Sequence, residues 1–153
     1  MKRTAAVGAA GVAVVMSVAA WSAQSNAEDR KAKMTFDLRQ TAEHVVDQAP
    51  AGDSAGDTAV LAGDLLRGGE KAGQYQGYCV YITSGANSQC SFTLALPDGQ
   101  LVLSTGYGSF NGETMPSHDP IVGGSGSYSK ARGYAEGTES EDGGLRYVLH
   151  IEK

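Results

Sequence analysis

Pro120-Ile121-Val122-Gly123-Gly124-Ser125-Gly126-Ser127-Tyr128-Ser129-Lys130-Ala131-Arg132-Gly133 holds four glycines in fourteen residues. Each glycine costs a regular helix or strand about 0.5–1 kcal/mol. A chain keeps that density where its backbone turns with positive φ or where a second backbone passes close by. The stretch therefore reads as a glycine corner built on Gly123, Gly124, Gly126 and Gly133. Ile121-Val122 leads in, and Tyr128 to Arg132 leads out to the next strand. A hairpin corner of an all-β protein explains this pattern. A phosphate-binding loop does not, because no Gly-Lys-Ser/Thr ending follows and no strand–helix unit surrounds it.

Strand signals lie on both sides. Met34 to Arg39 alternates apolar and polar residues, and Glu43 to Asp47 extends it past a bulge. Ala49 to Asp57 holds Pro50, Gly52 and Gly56 and reads as a loop. Thr58–Leu66, Lys71–Ile82, Cys90–Leu96, Gln100–Tyr107, Ala131–Thr138 and Leu145–Ile151 follow as strands. Arg67-Gly68-Gly69-Glu70, Ser84 to Ser88 and Pro97-Asp98-Gly99 mark turns between them. Gly108 to Asp119 is a longer polar connection and reads as a mouth loop. No helical period emerges downstream of residue 27. Seven or eight short strands mean a β-sandwich or a barrel, and pairing of the last strand with the first would remove both edges.

A second segment joins the glycine corner. Gly77-Tyr78-Cys79 is followed by Cys90-Ser91-Phe92-Thr93-Leu94-Ala95-Leu96-Pro97-Asp98-Gly99-Gln100-Leu101. Pro-Ile-Val-Gly-Gly-Ser-Gly-x-Tyr-x-x-Ala-Arg-Gly and Cys-x-x-Thr-Leu-x-Leu-Pro-Asp-Gly-Gln together resemble the dirigent and allene oxide cyclase-like superfamily, in its bacterial form, over roughly residues 56 to 134. The resemblance implies an eight-stranded antiparallel β-barrel over residues 34–153. It also implies cyclisation, isomerisation or stereochemical guidance of a small apolar molecule, with a separate oxidase as partner if the dirigent side of the group applies. A homo-oligomer is compatible with it.

The N-terminus reads as a leader. Met1-Lys2-Arg3, an apolar run from Ala5 to Ala20 and the small residues Ser25-Asn26-Ala27 are the three parts of a Sec-type secretory signal peptide over 1–27. The run is short of the roughly 20 apolar residues of a membrane span, so no stable membrane anchor is expected, a retained anchor being the alternative. Residues 28–33 are a charged, disordered lead-in. Removal of the leader takes Lys2 and Arg3 and no acid, so the net charge moves from −5 to −7. That balance argues against nucleic acid, which is bound by cations neutralising phosphates.

Cys79 and Cys90 are the two cysteines. Export favours a disulfide over a thiolate metal site or a free thiol. If they face each other across an antiparallel pair, Gly77 faces Phe92 and Tyr75 faces Leu94.

The chemistry is less determined. No Gly-x-Ser-x-Gly elbow, metal-ligand spacing or cofactor motif is present, so neither metal nor cofactor is expected. The reading is a cofactor-independent cyclase or isomerase, with a lipocalin-like carrier of a small apolar ligand or a filled structural barrel as alternatives. Tyr75, Phe92 and Tyr107 are the expected pocket-lining residues, with Asp57 beside them. The catalytic glutamate of the plant allene oxide cyclases has no counterpart motif here, and Glu70 and Asp57 are nearby candidates without one. Alternation puts Tyr75 and Tyr81 on the cysteine face. Tyr81 and His118 are the candidate catalytic residues, His118 because imidazole titrates near neutrality. Arg132 matches the arginine of the family motif and has two readings, a charged group at the pocket or an ion pair locking the corner. Ser127 departs from the acid that many plant dirigents carry there.

Overall fold

The computed structural model describes residues 31–83, 87–110, 113–114, 118–140 and 144–152. The expected leader lies outside them, as do Ser84, Gly85 and Ala86 of the turn predicted over Ser84 to Ser88. Ten strands follow in chain order: β1 (Ala32–Val46), β2 (Thr58–Arg67), β3 (Glu70–Thr83), β4 (Asn87–Leu96), β5 (Gly99–Tyr107), β6 (Ser109–Phe110), β7 (Glu113–Thr114), β8 (His118–Gly126), β9 (Arg132–Glu139) and β10 (Leu145–Glu152). Eight of them form a closed antiparallel barrel in the order β1-β10-β9-β8-β5-β4-β3-β2, and β6 and β7 make a small separate hairpin. Each barrel strand pairs with the next in the chain, and β10 returns to β1 (Met34 opposite Leu149, Phe36 opposite Tyr147), so no edge is left open.

The bulge expected in the first strand lies between Gln40 and Ala42. Strand β1 starts at Ala32, so the last residues of the predicted lead-in already pair with β10. In the β3–β4 hairpin Cys79 faces Cys90, Gly77 faces Phe92 and Tyr75 faces Leu94, the predicted register. Cys79 and Cys90 are joined by a disulfide.

The glycine corner differs from expectation. Gly123 and Gly124 lie inside β8, paired with Val102 and Leu101, and the chain reverses only at residues 127–130. The strand tolerates Gly124 because two backbones pass there. A Cβ would sit 2.6 Å from the Gln100 carbonyl oxygen and 2.5 Å from that of Tyr128. Gly126 (φ +58°) and Gly133 (φ +125°) flank the reversal in conformations that other residues rarely adopt. The turn drives Tyr128 into the barrel, where it is 5% exposed.

The two ends of the barrel are unlike. Toward the β2–β3, β4–β5 and β8–β9 turns the interior is solid. Phe36, Leu65, Leu94, Leu101, Leu103 and Leu149 are fully buried there, and Arg67 lies over the Phe36 ring at 4.8 Å. Toward the opposite end the inward residues leave a space.

Candidate functional site

That space is a cavity of about 320 Å³ lined by Leu38, Gln40, Leu61, Tyr75, Phe92, Tyr107, Gly144, Leu145 and Tyr147. Strand alternation places these side chains. Leu145 and Tyr147 share a face with buried Leu149 and Ile151, and Tyr107 shares one with Leu101 and Leu103. The size and mostly apolar walls suit one small molecule.

One wall is polar. Asp119, the second residue of β8, is 0% exposed. Its Oδ1 accepts from the Thr105 hydroxyl at 2.6 Å. Its Oδ2 accepts from the Tyr107 hydroxyl at 2.9 Å and the Tyr147 hydroxyl at 2.8 Å. The two phenol oxygens are 3.1 Å apart. Tyr147 reaches Asp119 across an intervening strand, because the β9 residues between them, Ala135 and Gly137, carry little or no side chain. Asp119 pairs with Ala135, and Tyr147 with Gly137. No Lys, Arg or His pairs with Asp119 among the described residues.

Burial, with Asp119 alongside, pushes the Tyr107 phenol up to about 12. The Tyr147 phenol is raised too, by burial first and then by Tyr107 and Asp119. Both therefore stay protonated at neutral pH. With their protons directed at Asp119, their oxygens face the cavity as acceptors. Either phenol becomes a donor toward a substrate oxygen only by turning its own O–H away from Asp119, which the other phenol and Thr105 continue to hold. Fixed dipoles of this kind stabilise charge that develops during a reaction.

The structure places the predicted site residues unevenly. Tyr75, Phe92 and Tyr107 line the cavity. Tyr81 and Asp57 do not. They share a separate depression of about 180 Å³ at the rim with Val45, Asp53 and Ser54. Asp57 accepts from the backbone N–H groups of Gln48 and Ser54, which hold its carboxyl below the usual range and tie down the β1–β2 loop. His118 is not in a mouth loop. It begins β8 with its side chain outward and 57% exposed, 3.4 Å from Glu136. His150 meets the other oxygen of Glu136 at 3.2 Å and stacks on Tyr134. Alternation explains the outcome, since inward Asp119 forces its neighbour His118 outward. Arg132 is exposed and donates to the Ala131 carbonyl at 2.7 Å, at the far end from the cavity. Among the described residues no ion pair includes it.

Asp119, Thr105 and Tyr147 were missed from the sequence. The signal lay in the alternation of Tyr147 with Leu145, Leu149 and Ile151, and of Asp119 with Ile121. No group of three or more metal-ligating side chains converges among the described residues.

No protein-family model matches the chain, and no curated protein matches it by sequence. Solved structures do share its fold. Pyocyanin demethylase superposes with a TM-score of 0.68 at 20% identity, over 78% of this chain and 99% of that one. The Diels-Alderase AbmU from Streptomyces koyangensis gives 0.59 at 15% identity, over 84% of this chain and 70% of that one. AbnU, described as an exo-specific intermolecular Diels-Alderase, gives 0.56 at 14% identity, over 80% of this chain and 98% of that one. At these identities the likeness is one of fold. The chain forms a small closed β-barrel similar to those of Diels-Alderases and pyocyanin demethylase.

Proposed function

We propose that this protein is a secreted, cofactor-independent barrel enzyme that cyclises or isomerises one small, largely apolar substrate. The observation that carries this reading is the apolar cavity with Tyr107 and Tyr147 on one wall and the buried Asp119 behind them. A carrier needs only the apolar space, and burying a carboxylate is costly. Apolar walls would hold a flexible substrate in one reactive conformation, which removes much of the entropic part of the barrier. The phenols would then stabilise charge as bonds rearrange. Barrels of similar fold that are described as Diels-Alderases support this chemistry, as does the motif resemblance to allene oxide cyclases. The Cys79–Cys90 disulfide supports an extracytoplasmic location.

The test is turnover. Linear polyenes with a tethered dienophile are incubated with the mature protein, and products are followed by chiral chromatography. The expected result is a rate above buffer and one dominant stereoisomer. Tyr107→Phe should lower the rate roughly 10²-fold, as loss of a transition-state hydrogen bond does, while apolar-probe affinity stays within about threefold. Every donor to Asp119 is already satisfied internally, and that observation favours the carrier reading. Probe binding without turnover across the panel would establish it.

A further inference from the structure

The polar wall of the cavity carries a sign. Three hydroxyls donate to Asp119, the pattern of an ionised carboxylate. Among the described residues no cation pairs with it. Arg39 and Lys71 are committed to Asp64, and Arg146 is held by Asp37. Buried charges are ordinarily paired with a counter-charge or a metal. This one is covered by the Thr105 hydroxyl and two phenols, and the phenols line the cavity. Because both O–H bonds point away toward Asp119, the cavity meets two oxygen acceptors backed by a full negative charge.

The rest of the cavity strengthens that bias. Tyr75 and Phe92 add aromatic faces, which attract positive charge through their quadrupoles. At the mouth Glu43 accepts a hydrogen bond from the lining residue Gln40 at 2.8 Å. The chain as a whole carries a net charge of −5, which draws cations toward it.

We infer that the species this cavity binds is a planar aromatic or conjugated molecule bearing delocalised positive charge, seated with its charged end against Tyr107 and Tyr147. Asp119 acts through the two tyrosines as a positioning residue. The inference rests on the cavity being a binding site, and it names the substrate class for the reaction proposed above. A neutral hydrocarbon fills the same space but leaves the charge on Asp119 uncompensated. An anion is excluded by it.

The experiment compares two probes of nearly the same shape, N-methylacridinium and acridine, at pH 8, where acridine is neutral. Both are titrated by fluorescence into the mature wild-type protein at low and at 300 mM salt. The expected result is at least tenfold tighter binding of the cation, with the preference kept at high salt because buried interactions are screened little. Asp119→Asn should bring the ratio to within about threefold, and Leu61→Trp, which fills the cavity, should abolish binding of both probes. The wild-type ratio alone decides if Asp119→Asn fails to fold. Equal or tighter binding of acridine overturns the inference and leaves the cavity reading standing. A preference that vanishes at 300 mM salt or survives in Leu61→Trp belongs to the surface and overturns it too. Failure of both probes to bind overturns both readings together.

Discussion

Asp119 and the phenols over it set what single substitutions do. Tyr147→Phe removes one of three donors to a buried carboxylate. Loss of a hydrogen bond to a charged group costs about 1.5–3 kcal/mol, and chemical denaturation should read a loss of that size. Alkaline titration tests the same wall. Tyr75, Tyr107, Tyr128 and Tyr147 are all raised, with burial the largest cause. A group held protonated by the fold contributes stability that is whole below its unfolded value of 10 and is lost as pH rises through its folded value, about 12 for Tyr107. Tyrosinate absorbance should therefore show four of the seven rings ionising late, and alkaline unfolding should release them together. At this scale the sequence was only partly legible. Tyr75, Phe92 and Tyr107 could be placed because they sit on strands whose alternation with leucine or cysteine is plain. Asp119 was hidden because a polar run before it reads as loop, and His118 drew attention for its titration range. Alternation then put the histidine in solvent and the aspartate in the core.

The β3–β4 hairpin was the most legible element, because two cysteines, one glycine and one phenylalanine allow few registers. Its disulfide closes a loop across a sequence separation of 11. In the chain-entropy model that is worth about 3 kcal/mol. The Cys79→Ala/Cys90→Ala variant should melt roughly 10 °C lower, read by circular dichroism. The β8–β9 corner was less legible. Glycine density suggests a turn wherever it occurs, yet Gly123, Gly124 and Gly126 all lie in β8, which other backbones crowd at Gly124 and Gly126. Gly133, in β9, is crowded in the same way, with the His150 carbonyl where a Cβ would stand, and its φ of +125° adds a second requirement for glycine. At the other end the β1–β2 loop hangs on Asp57, through the Gln48 and Ser54 N–H groups first. Asp64 is lowered mainly by Arg39 and Asp37 mainly by Arg146. Each carboxyl is harder to protonate folded than unfolded. Their stabilisation is complete above the ordinary value of 3.8 and is lost as pH falls through the lowered folded values. Denaturation midpoints should hold down to about pH 4 and fall steeply below it.

On the scale of the whole molecule, one barrel is half core and half vessel. Strand count, turn chemistry and closure of β1 on β10 were readable from alternation and from the family motifs. The division between a solid and a hollow half was not, because it depends on how far each inward side chain reaches across the barrel. The division has a mechanical consequence. Leu103→Ala, in the solid half, should cost about 2–5 kcal/mol, as cavity-forming truncations do. Leu61→Trp, in the hollow half, adds bulk where there is room and should cost less than about 1 kcal/mol. The measurement that tests the central claim most directly is titration of the mature protein, and of Leu61→Trp beside it, with a neutral fluorescent probe such as 1-anilinonaphthalene. The account predicts saturable binding near one probe per chain in the wild type and none in a folded Leu61→Trp. No saturable binding in the wild type, or equal binding in both, would contradict it.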